Sequence, residues 1–225
     1  MMPSNAYSKF DKHLMKDVRA LIKSHADLNS GKRGRKHLGH LTRGACVFLC
    51  AAWERYVEDV LCESVGFMCE NVPDHNSLPE PVRRYISGRV KEEKHELSAF
   101  TLAGDDWKTT LSQYAQEAVD SLNTPKKDNL IQLFRRFLGV DDVSTFWVDG
   151  SNTAEIDTAR TAIDAFVTAR GDIAHNGTDA QYPRIKKIDE EYVPLVIATT
   201  KTMDNQLNDY LHGITSKRPW RRMTN

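Results

Sequence analysis

The sequence predicts an all-α fold, and three observations support that prediction. Apolar residues recur at three- and four-residue steps almost throughout the 225-residue chain, the spacing of one helical face. No strand–helix–strand alternation, internal repeat or glycine-rich phosphate loop breaks the pattern. The composition, 40% hydrophobic and 28% charged with few glycines, is that of a globular chain able to bury one sizeable helical core.

The elements follow in order. Phe10, Leu14, Val18, Leu21, Ile22 and Leu28 mark a first amphipathic helix. Gly31-Lys32-Arg33-Gly34-Arg35 ends it, because two glycines and three cations add nothing to a core. A second helix is expected over about Leu38 to Cys69, with the stripe Leu41, Ala45, Phe48, Leu49, Ala52, Tyr56, Val60 and Leu61, the most apolar in the chain. Asn71-Val72-Pro73-Asp74 and Leu78-Pro79 form a turn. Three shorter helices fill the middle. One begins at Pro79 and Pro81, one runs from Asp105 through Leu122, and one covers about Lys126 to Leu138 before Gly139 stops it. The connector Val140 to Gly150 is too short for a sheet. Asn152, with Glu155 three residues on, opens the next helix, which carries Ile156, Ala159, Ile163, Phe166 and Val167 to Arg170. Gly171 is its expected stop or kink. After a loop to Pro183, a last helix spans about Asp189 to Leu211, with Pro194 in its first turns.

Charge is balanced overall but unevenly spread. Residues 1–45 hold ten Lys and Arg against three Asp, and the last ten residues hold four Lys and Arg with no acid. Such edges suit a polyanion, although solvated helix faces explain them equally well. The tail Lys217-Arg218-Pro219-Trp220-Arg221-Arg222 reads as a base-stacking strand or, more simply, as a disordered solubilising end. Cys46, Cys50, Cys62 and Cys69 fall in one helical stretch, which suits reduced thiols more than a disulfide framework. No apolar run reaches the roughly 18 residues of a membrane span, and Met1 to Phe10 lacks the apolar core of a signal peptide. The expected compartment is the cytoplasm.

One segment is chemically pointed: Arg170-Gly171-Asp172-Ile173-Ala174-His175. An Arg followed by His after four to six residues also occurs at Arg19–His25, Arg33–His40, Arg35–His40 and Arg89–His95, so spacing alone decides nothing. Only the Arg170 match ends a strongly apolar helix and meets a helix-breaking glycine. On an uninterrupted helix, residues five apart point about 140° from each other. One phosphate is therefore within reach of both only if the backbone bends at Gly171. Glu54, on the most apolar helix beside Cys50 and Val57, needs a partner or solvent; it reads as a group orienting Arg170 or His175, or as an ordinary flank residue. Glu92-x-x-His95 lacks the second copy that a di-iron bundle needs. His37-x-x-His40 near Cys46 and Cys50 fits no standard zinc spacing, so no metal and no cofactor is expected.

Arg170-Gly171-Asp172-Ile173-Ala174-His175-Asn176-Gly177 resembles the Arg-x(4–6)-His signature of the HEPN superfamily. Gly44 to Asp59, with Trp53-Glu54, is similar to the apolar-then-Trp-Glu helix of RiboL-PSP-like HEPN domains. The resemblance covers about 38–70 and 152–213. It implies one domain over 1–225: a HEPN-like four-helix up-and-down bundle from about 10–70 and 152–213, a helical insertion at about 75–150 and a basic tail at 214–225. It also implies a homodimer whose two motifs face across a cleft, with RNA as substrate and an antitoxin or other regulatory protein as a possible partner. The activity implied is metal-independent RNA cleavage to 2′,3′-cyclic phosphate and 5′-hydroxyl ends, of the kind used by toxins and antiviral effectors. The site residues would be Arg170, on the phosphate, and His175, as acid or base, with Asp172, Asn176 and Glu54 in support. The family usually places Asn, Asp or His after the Arg, where this chain has Gly171. That departure favours the second reading, a non-catalytic RNA- or nucleotide-binding or regulatory dimer.

Overall fold

The longest apolar stripe becomes the centre of the molecule. In the computed structural model, which describes residues 2–29, 37–177 and 181–224, helix α2 (Gly39–Asn71) is buried along most of its length. Around it pack α1 (residues 5–29), α6 (Thr153–Asn176) and α7 (residues 185–215), which make the four-helix core. Helices α3 (Glu80–Glu92), α4 (Asp106–Asp120) and α5 (Lys127–Leu138) fill the middle of the chain, and no strand occurs among the described residues. The expected break at Gly31 to Arg35 lies outside the described residues.

Because neighbours surround α2, it buries residues on every side: Trp53, Tyr56, Val57, Val60 and Leu61 are all fully enclosed. Trp53 meets Trp147 edge-on at 5.8 Å, and its Nε1 donates to the Pro125 carbonyl at 3.1 Å. The middle segment is thereby bolted into the same core. Tyr56 donates to the Thr200 carbonyl of α7 at 2.9 Å and stacks edge-on against Phe10 of α1 at 5.7 Å. Each such large buried side chain contributes about 1.5–3 kcal/mol by leaving water.

The helix ends follow local chemistry. Asn152 accepts from the Ala154 N–H and donates to Glu155, capping α6. Gly139 ends α5 at φ +76°, and a Cβ there would collide with Pro79.

Three expectations change. Gly171 does not stop α6, which runs on for a total of 24 residues to Asn176 and ends at Gly177, φ +55°. A mid-helix glycine costs only about 1 kcal/mol, and Ile173, buried beyond it, keeps the turn docked. The last helix begins at Ile185, not Asp189, and Pro194 therefore lies well inside it. A π-helical turn over Ile188–Tyr192 precedes Pro194 and widens the ladder where its N–H is missing.

The basic tail is neither a disordered end nor a free stacking strand. Trp220 is buried and donates to the Asp204 carbonyl at 3.1 Å, and Asp209 pairs with both Arg218 and Arg222. The Arg221 N–H reaches the Met2 carbonyl at 2.8 Å, so the two ends of the described chain meet over α7.

Asp204 anchors that meeting. Its buried carboxylate accepts from the Ser4 hydroxyl and, more weakly, from the Ser4 N–H. Burial pushes the carboxyl up to about 7, against the opposing pull of the Ser4 hydrogen bonds. An unfolded Asp releases its proton near about pH 4, so between about pH 4 and 7 the folded chain holds an extra proton. Stability from this group is complete below that window and falls as pH rises through it. Thermal melts should show the wild type losing stability relative to Asp204→Asn between about pH 4 and 7, with the difference flat above.

Candidate functional site

The continuity of α6 sets where the pointed residues go. At 100° per residue, Asp172, His175 and Asn176 share one arc at the last turn, and all three are exposed. Arg170 lies on the opposite side, inside the buried stripe of Ile163, Phe166, Val167 and Ile173. Arg170 and His175 thus leave one chain on different sides.

Arg170 meets α2. Its Nη2 lies 3.7 Å from Glu54 Oε2, with side chains 34% and 14% exposed respectively. That separation is an ion pair but too long for a hydrogen bond. Among the described residues no hydrogen bond holds the guanidinium, so its donors are available to an incoming anion. Burial raises the Glu54 carboxyl above the usual carboxylate range, and the Arg170 charge pulls it back. Cys50, one turn earlier on α2, feels the same cation, yet burial dominates and pushes its thiol up to about 12. This thiol is a packing group.

Helix α2 and helix α6 are held in register by further contacts. The Lys127 N–H donates to Asp164 of α6 at 2.9 Å, which ties the start of α5 to α6 next to the Trp53–Pro125 bond. Arg160 of α6 pairs with Asp142 and Asp157 and donates to Ser144 at 2.7 Å. Arg170 is therefore presented from a braced helix. The other Arg–His matches give no comparable arrangement: Arg19 pairs with Asp11, Arg89 with Glu117, and Arg33 and Arg35 lie outside the described residues.

A sequence model of the RiboL-PSP-HEPN family matches residues 12–209. The chain belongs to the RiboL-PSP-HEPN family. The match takes in the middle helices as well as the two segments that resemble HEPN domains, so α3, α4 and α5 fall within the family's span. No curated protein and no solved structure matched the chain. In this HEPN chain the Trp-Glu pair of α2 has two separate jobs: Trp53 is core, and Glu54 faces the motif arginine.

Removing Arg170 should leave the Glu54 carboxylate largely enclosed without its cation. In urea unfolding at pH 7, Arg170→Ala should cost about 1–3 kcal/mol. Adding Glu54→Gln should recover most of that loss. The loss should also fade as the pH is lowered, because a protonated Glu54 no longer needs the cation.

Proposed function

We propose that this HEPN protein is a metal-independent endoribonuclease that acts as a homodimer. The observation that carries the reading is Arg170: a one-third-exposed guanidinium, held loosely by Glu54 with its donors free, on the helix that ends in an exposed His175. In one chain the two groups face different sides of α6, so a second copy completes the cleft, each copy supplying one Arg170 and one His175. Support for a shared surface comes from Phe48, 48% exposed on the rim of a groove that also includes Glu54.

The chemistry is balanced between the two copies. One imidazole takes the proton of the ribose 2′-hydroxyl, whose oxygen attacks the adjacent phosphorus. The phosphorus–O5′ bond breaks, and the second imidazole gives a proton to that oxygen. The products are a 2′,3′-cyclic phosphate and a 5′-hydroxyl. The Arg170 pair stabilises the charge that gathers on the phosphate oxygens in the transition state. Asp172 and Asn176 share the His175 arc and would set its orientation. The role of a toxin or antiviral effector, restrained by a regulatory protein, is the one that the HEPN resemblance implies. The second reading, a dimer that binds RNA without cutting it, is favoured by Gly171 in place of the polar residue usual after the Arg.

His175 is exposed, so its replacement leaves the fold intact and isolates the chemistry. Purified protein incubated with total RNA in EDTA should cleave it, leaving cyclic phosphate ends. His175→Ala should lower the rate by about 100-fold or more. Equal cleavage by both proteins, or none by either, overturns the nuclease; binding without cleavage establishes the second reading.

A further inference from the structure

A sizeable groove lies away from Arg170. It has a volume of about 610 Å³ and opens where α2 begins, between the end of α1 and the segment entering α7. Its walls carry His25, His37, His40, Arg43, Tyr182 and Arg184, and among the described residues no Asp or Glu lines it. Neither Arg43 nor Arg184 has a carboxylate partner among the described residues; Arg43 instead lies over the Tyr182 ring, 5.2 Å from its centroid. No three His, Cys, Asp or Glu side chains among the described residues are grouped as metal ligands.

The backbone adds to the same field. Helix α2, the longest, opens here with no side chain capping its N-terminus and no acid in its first turn, leaving N–H groups and the positive end of its dipole toward the groove. Tyr182 is fitted closely: a Cβ at Gly39 would collide with its hydroxyl and press Arg43 Nη1 at 3.2 Å. Glycine at 39 is thus what lets the aromatic ring lie against the start of α2.

The groove also aligns with the motif. Arg43 and Glu54 lie eleven residues apart on α2, about 16 Å along the axis and within about 20° of the same side. Tyr182 follows His175 by seven positions, so the chain itself keeps them within about 25 Å.

We propose that this groove binds the backbone of single-stranded RNA, with Arg43 and Arg184 on phosphates and Tyr182 stacking a base. Choosing RNA among polyanions rests on the nuclease reading, and the groove would hold the strand whose phosphodiester lies near Arg170. An unpaired cationic groove with an aromatic wall is what a strand of phosphates and bases requires.

The test reads binding alone, in a His175→Ala background, by fluorescence anisotropy of a short labelled oligouridylate over a range of salt. Arg43→Ala with Arg184→Ala should weaken binding at least tenfold and flatten the logarithmic salt slope by about 1–2. Tyr182→Phe should bind as the parent, whereas Tyr182→Ala should lose about five- to a hundredfold with the slope unchanged. Arg184→Ala alone, at an exposed position, guards against a folding defect and should show a share of the loss. Unlabelled oligouridylate should displace the probe, and polyglutamate of equal charge should not. Unchanged affinity in the arginine variants, or displacement by polyglutamate as readily as by RNA, overturns the proposal. Groove-dependent binding by a wild type that never cleaves RNA would keep the groove and remove the nuclease.

Discussion

Because α6 keeps its hydrogen-bonded ladder through Gly171 to Asn176, a guanidinium and an imidazole five residues apart leave it on different sides. The arginine falls on the core-facing stripe, where a lone cation would be costly, and Glu54 of α2 offsets that cost from 3.7 Å. The histidine falls in the solvent. A helix that broke at Gly171 would have left Arg170 in place and freed the His175 segment to turn toward it within one chain. On the proposed nuclease reading, the unbroken helix makes the site a problem of assembly.

That arrangement depends on packing far from the motif. The Trp53–Trp147 contact and the Trp53–Pro125 bond fix the middle helices against α2, and the Lys127–Asp164 bond carries that fixation to α6. The Arg170–Glu54 pair is long and partly open, so the guanidinium keeps unused donors. The structure places a charge with spare donors on rigid elements, the condition under which it can be aimed.

Most of the helices were legible in the sequence, since their apolar period is set by the same core that buries them. The starts at Asn152 and Pro81 and the stop at Gly139 were legible from residue chemistry. What could not be read was decided by tertiary contact. Gly171 stays helical because Ile173 docks, Pro194 is accommodated by a π turn, and Trp220 is buried because Asp204 and Asn208 accept and donate to it. The Arg–His segment was legible as a motif, but its division between two sides of α6 was not. The groove was illegible for another reason. His25, Arg43 and Tyr182 come from three distant parts of the chain, and the one local hint, Gly39 between His37 and His40, gains meaning only with Tyr182 against it.

The claim that one cleft draws its Arg170 and His175 from two copies is tested most directly by hybrid dimers. One chain would be wild type and the other would carry both Arg170→Ala and His175→Ala, with separate tags for purification. A shared cleft predicts cleavage close to the level of the doubly substituted homodimer, because every cleft lacks half its groups. A hybrid that keeps about half the wild-type rate would mean that each chain holds a complete site, and would contradict the account.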